Sequence, residues 1–212
     1  GNCQYSDVTI FSFHPVKIVT TAEGGMAVTN DDNVAIQLGL LRSHGITRDP
    51  ALMSQPLDGP WSYQQVALGF NYRMTDIQAA LGVSQMTRLA QYVERRHEIA
   101  DRYKKLLGNL PLTLPFQHAD GYSAYHLYVI RLQLEKIQRS HLQVFEALRA
   151  KDIIVNLHYI PVHTQPYYQK MGFSVGDYPQ AEQYYREAIS IPMHPMLTDS
   201  ELQFVADSLQ EA

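Results

Sequence analysis

Apolar and polar positions alternate from the start of the chain. Val8 to Phe13, "VTIFSF", interleaves apolar with hydroxyl side chains, the two-residue period of a strand with one face buried. "GGMAVTND" predicts a second strand ending in a turn, close enough to the first to pair with it. The period then lengthens. Residues 33–43 are helical in pattern, and His44-Gly45 supplies a stop, with glycine where the chain needs positive φ. Periodicity is lost over 46–64, a loop rich in Pro and Gly, and loops of that length in compact domains are often functional. From Asp76 to Leu107 an apolar stripe (Ile77, Leu81, Leu89, Tyr92, Ile99, Tyr103) predicts one long helix. Thr75 is its N-cap, and Gly108-Asn109 with Pro111 ends it. Glu98/Arg102 and Asp101/Lys105 add i,i+4 pairs in the favourable orientation.

"PLTLPFQHADGYSA" reads as a loop and a boundary. Beyond it the pattern predicts a strand at Tyr125–Leu132, a helix at 140–150 and a strand at "IIVNLHYI". An irregular stretch from Pro161 follows, then a helix at "AEQYYREAIS". The last helix opens with "TDSE", in which Thr198 and Glu201 have capping-box spacing. This alternation implies a small α/β unit beside a larger one, divided as residues 1–108 and 109–212.

Composition narrows the function classes. The 212 residues are 45% hydrophobic and 18% charged, which suits a globular protein with a sizeable core. A net charge of -4 and the lack of a basic cluster interleaved with aromatics exclude nucleic-acid recognition. No apolar stretch approaches a bilayer span, so no membrane partner is expected. Cys3 is the single cysteine, so no internal disulfide forms and a cytoplasmic location is expected. The chain opens "GNCQYSD", without Met or signal-peptide pattern, and enters a strand at once. The expectation is a chain entered in mid-domain, with an N-terminal part before it.

The candidate chemistry lies in "FSFHPVKIVTTAEGGMAVTND". Lys17 follows a strand and a turn stiffened by Pro15, amid apolar, hydroxyl and glycine residues. A neutral lysine amine attacks carbonyls, and burial lowers a lysine pKa from its reference of about 10.4. Gly24-Gly25 lets backbone approach something bulky. Read as residues alone, the same features more often describe a surface lysine and a plain turn.

This stretch resembles the cofactor-lysine motif of the DegT/DnrJ/EryC1/StrS aminotransferases, pyridoxal-phosphate enzymes acting on nucleotide-linked keto sugars. "LLRSHGITRDP", "LGFNYRMTDIQAALGVSQMTRL" and "IIVNLHYIPVHTQPYY" resemble the same family in the same order, over nearly the whole chain. "RSHGITRDP" and "VNLHYIPVHTQPYY" are most similar to the branch on the route to pseudaminic acid. The resemblance implies an α/β fold of the type I pyridoxal-phosphate transferases. Residues 1–108 would be the C-terminal part of the cofactor-binding large domain, and 109–212 the small domain.

It implies roles as well. Lys17 would join pyridoxal 5'-phosphate covalently, and Ser12 would bond its phosphate. Asn71 would reach the phosphate in a neighbouring subunit, making a homodimer with shared sites. Arg73 would approach the nucleotide-sugar phosphates, and His158 and Tyr159 would line the sugar side of the cleft. Relatives that remove a hydroxyl carry histidine in place of the lysine, so Lys17 favours amino transfer. The family's pyridinium-pairing aspartate and ring-stacking aromatic lie N-terminal to the lysine motif, before Gly1 here. The implied reaction moves an amino group from L-glutamate to the 4-keto carbon of a UDP-linked deoxy sugar.

Two other readings stand beside it: a non-catalytic relative or fragment serving as an assembly surface, and an aminotransferase for a different nucleotide keto sugar. His14 is read as fixing the turn or the phosphate edge. His158 and His163 are not read as metal ligands, because Pro161 intervenes and no cysteine or carboxylate stands beside them.

Overall fold

The computed structural model describes residues Gly1–Ala212, which form two compact units, Gly1–Leu89 and Ala90–Ala212. In the first unit, β1 (Thr9–Ser12) and β2 (Gly25–Val28) pair antiparallel, from Thr9 opposite Val28 to Ser12 opposite Gly25. The two strands expected at the start of the chain therefore form and pair. The buried face implied by their alternation does not: Ile10, Phe11 and Met26 stay exposed.

Helix α1 (Asp32–Arg42) starts because the Asp31 carboxylate accepts from the Asn33 and Val34 amides. It ends as expected at His44 and Gly45, both with positive φ. A side chain at Gly45 would strike the Ala67 carbonyl oxygen at 1.8 Å, so only glycine lets these two backbones meet. Two short strands, β3 (Ile46–Thr47) and β4 (Gln64–Gln65), pair and close the loop between them.

The predicted helix from 76 to 107 is two helices, α2 (Asp76–Met86) and α3 (Leu89–Leu107). At the break the Thr87 hydroxyl donates to the Ser84 carbonyl, and the Arg88 amide bonds Gln85 in a tighter turn. Side-chain competition for backbone carbonyls interrupts the ladder there. The contact division also falls at Leu89, ahead of the boundary drawn at 108, because α3 buries Ile99, Ala100, Tyr103 and Leu107 in the core of the second unit.

That unit holds a three-stranded antiparallel sheet in the order β5 (Leu112–Thr113), β6 (Tyr128–Leu132), β7 (Ala188–Ile191). Helices α4 (His141–Arg149), α5 (Pro166–Gln169), α6 (Pro179–Glu187) and α7 (Asp199–Glu211) complete it. β6 shows the period-two pattern cleanly, burying Tyr128, Ile130 and Leu132. They pack with Tyr103, Leu148, Ile189 and Leu202, each large side chain contributing about 1.5–3 kcal/mol by burial.

Two assignments here need correction. "IIVNLHYI" is not a strand: Asn156 alone bridges Ser190. The third strand is "AISI", which the helical pattern had absorbed into the preceding helix. All four of its residues are buried, and a short fully buried run carries no period that separates strand from helix.

Candidate active site

The geometry around Lys17 starts from the β1–β2 hairpin. Beyond Ser12 the chain turns sharply: the Lys17 amide donates to the His14 carbonyl at 2.9 Å, closing a four-residue turn with Pro15 at its second position. The return path is pinned to Phe13, whose carbonyl accepts from the Thr21 amide at 3.0 Å and the Thr20 hydroxyl at 3.1 Å. Thr21 is buried, and its hydroxyl donates to the Glu23 carbonyl at 2.7 Å.

The paired glycine answers to space rather than to a free turn. A side chain at Gly24, φ +153°, would meet the Thr21 hydroxyl at 2.4 Å, and one at Gly25 would lie 2.9 Å from the Phe11 carbonyl. Helix α2 abuts the same turn. Gln78 donates to the Glu23 carbonyl at 3.1 Å, and a side chain at Gly24 would also strike the Met74 methyl. The segment carrying Asn71 and Arg73 is thereby tied to the lysine turn through the start of α2.

Lys17 is half-buried, and its amine makes no hydrogen bond or ion pair. The expected shelter is therefore partial. The nearby His14 faces Glu23 at 3.9 Å, so the one carboxylate of this turn is directed at the histidine. Ser12 ends β1 with an exposed hydroxyl that accepts a long bond from the His14 amide, 3.5 Å, leaving its own proton unused.

Asn71 is held by its backbone, bridged to Ser43, while the Tyr72 amide donates to Arg42. Its side chain and that of Arg73 are exposed and make no bond within the chain. Lys17, Ser12, Asn71 and Arg73 all belong to the first unit. His158 and Tyr159 lie in the second, where His158 Nδ1 is 2.8 Å from the Ser190 hydroxyl and Tyr159 is exposed.

The polar groups of Lys17, Ser12 and Asn71 are of the kinds that pyridoxal phosphate needs. An unpaired, half-buried primary amine suits an aldehyde, and an unspent hydroxyl and an exposed amide suit phosphate oxygens. Residues 2–210 match the profile of the DegT/DnrJ/EryC1/StrS aminotransferase family. The chain belongs to that family.

Among relatives, the spore coat polysaccharide biosynthesis protein SpsC of Bacillus subtilis is 36% identical, over 97% of this chain and 53% of its own. The UDP-4-amino-4,6-dideoxy-N-acetyl-beta-L-altrosamine transaminase of Campylobacter jejuni is 35% identical, over 96% of this chain and 52% of its own. The chain spans about half the length of the curated relatives it matches.

Helicobacter pylori PseC, an aminotransferase of pseudaminic acid biosynthesis, superposes with a TM-score of 0.87 at 29% identity, covering 98% of this chain and 53% of PseC. The PLP form of a Streptococcus pneumoniae protein described as a sugar aminotransferase superposes at 0.85 and 29% identity, over 97% of this chain and 51% of that one. The α/β fold expected for a type I pyridoxal-phosphate transferase is thus the fold of this family member.

The sequence pattern missed the groups that build the turn. Gln78 had a signal, standing three residues after Thr75 in a capping box. The roles of Thr20 and Thr21 had none, since hydroxyl residues beside a strand are ordinary.

Proposed function

We propose that this chain carries the reactive lysine of a pyridoxal-phosphate aminotransferase, moving the amino group of L-glutamate to the 4-keto carbon of a UDP-linked deoxy sugar. Glutamate leaves as 2-oxoglutarate and the keto sugar as the 4-amino sugar, so the exchange balances without an outside oxidant or reductant. The observation that carries this reading is the half-buried, unpaired Lys17 amine on a glycine-walled turn, in a chain matching a sugar aminotransferase family from end to end. The named relatives support the nucleotide-sugar acceptor and a place in surface-glycan biosynthesis.

When bound, pyridoxal phosphate supplies the electron sink for the carbon beside the transferred nitrogen. The chain supplies the rest. Lys17 Nζ takes a proton from that substrate carbon and later returns one, as a single group serving as nucleophile, leaving group and proton carrier. The Ser12 hydroxyl donates to a phosphate oxygen. Asn71, with its backbone fixed and its amide exposed, does the same in the other subunit of a homodimer. Arg73 offers charge to the nucleotide phosphates, and His158 with Tyr159 faces the sugar. No helix is long and apolar enough to cross a membrane, and we place the reaction in the cytoplasm.

The test is spectroscopic. Adding pyridoxal phosphate to the protein gives a yellow species whose absorbance disappears in Lys17→Ala. A wild-type protein that stays colourless overturns the reading.

A further inference from the structure

In the second unit, one carboxylate holds a long irregular segment from both of its ends. Glu182, on α6, accepts from His163 Nε2 at 2.9 Å and from the Gly176 amide at 2.6 Å, both through the same oxygen. His163 and Glu182 are buried. The Tyr178 ring packs 4.8 Å from the His163 ring. Between these anchors the chain has only short helical turns, and most of its large side chains stay outside: Tyr167 and Met171 are 70% and 63% exposed, while Phe173 is half-buried beside the Tyr168 and Tyr178 rings. Apart from the Phe173 ring, hydrophobic burial therefore does little to hold 164–175 in place.

Upstream, the strip from His158 to His163 is fastened twice. His158 bonds Ser190 on β7, and His163 bonds Glu182 on α6, the element that runs directly into β7. Between them Pro161 is buried, and its carbonyl accepts from both the amide and the hydroxyl of Thr164. Tyr159 sits on this strip with its ring edge-on to His158, centroids 4.6 Å apart.

We propose that the buried His163–Glu182 pair is a positioning latch, which fixes the 158–178 segment so that His158 and Tyr159 present a rigid face to the acceptor sugar. This rests on the reading, made above, that His158 and Tyr159 line the acceptor side. His163 and Glu182 touch no substrate. They act by holding the residues that do, so losing them weakens acceptor binding and leaves attachment of the cofactor at Lys17 intact.

The test compares wild type, Glu182→Ala and Glu182→Gln as full chains. Hydrogen exchange reads the segment, a pyridoxal-phosphate absorbance titration reads the lysine site, and steady-state kinetics with a UDP-linked 4-keto sugar reads the acceptor. In Glu182→Ala, amides of 158–178 exchange at least about tenfold faster while β6 and α7 keep their protection. Acceptor KM rises about tenfold or more, against little change in kcat or in the absorbance titration. Glu182→Gln still accepts from Gly176 and recovers part of both effects. It also carries the comparison if Glu182→Ala does not fold.

Unchanged exchange over 158–178 in both variants overturns the latch. Faster exchange with an unaltered acceptor KM overturns the assignment of His158 and Tyr159 to the acceptor. If the wild type takes up no pyridoxal phosphate, the functional reading fails on its own, and exchange still decides whether the pair holds the segment.

Discussion

The proposed chemistry centres on Lys17, and the turn around it is built by its neighbours. Pro15 and the His14 carbonyl set the turn, and Thr21 and Gly24 wall it. Lys17→Ala should lower amino transfer at least about a thousandfold, the loss expected when a nucleophile and proton carrier go together. Lys17→Arg should not restore it, because arginine stays protonated at any working pH. Both are read by glutamate-dependent turnover. The lysine was legible in the sequence only through its family resemblance, since no pattern distinguishes it from a surface lysine.

Glu182 is a second case at this scale, and no sequence pattern showed it. The bond from His163, then the Gly176 amide, holds its carboxyl below the ordinary carboxylate range. A lowered folded-state value means that the stabilisation is complete above the ordinary carboxylate pKa and is lost as pH falls through the folded value. Urea denaturation should therefore show Glu182→Gln less stable than wild type at pH 7. The gap should close in acid, below about pH 4. A gap independent of pH would contradict this.

Elements form where local chemistry and packing agree. The capping boxes at Thr75/Gln78, Ser140/Gln143 and Thr198/Glu201 each start a helix where the sequence carries Ser or Thr and, three residues on, Gln or Glu. Thr198→Ala should cost about 1 kcal/mol of stability in chemical denaturation, because the Glu201 amide loses its acceptor. Glu201 answers in turn, with bonds from the Thr198 amide and hydroxyl holding its carboxyl down. Starts were thus readable, whereas the break at Thr87 and the strand at Ala188–Ile191 were not. A break needs a side chain to win a carbonyl from the ladder, and a buried strand needs its partner, here β6.

For the whole molecule, the two units differ in how much apolar surface they bury. The large core belongs to the second, while in the first only Val19 and Leu40 are buried apolar residues. Leu68 and Ile77 in the first unit are 87% and 85% exposed. Amides of β1, β2 and α2 should therefore exchange faster than those of β6, β7 and α3, as protection follows buried contacts. Within the second unit, Ile130→Ala should cost about 2–5 kcal/mol, because the side chain is fully enclosed.

The proposed homodimer makes a sharper prediction. Lys17→Ala and Asn71→Ala proteins, each inactive alone, should regain activity when mixed, because half of the sites in mixed dimers draw both residues from intact copies. Random pairing gives about a quarter of wild-type turnover. No recovery after subunit exchange would place Asn71 outside a shared site.

By itself the sequence determined the local events: the hairpin pairing, the helix caps, the stop at Gly45, the amphipathic face of α3, and the motif that assigns the family. Each depends on neighbours within a few residues, where spacing is chemistry. Tertiary structure alone decided that "AISI" is a strand, that α3 lies with the second unit, that Lys17 is half-sheltered with a free amine, and that one buried carboxylate ties His163 to Gly176. Those outcomes depend on which distant groups meet and exclude water, and no interval along the chain encodes that distance.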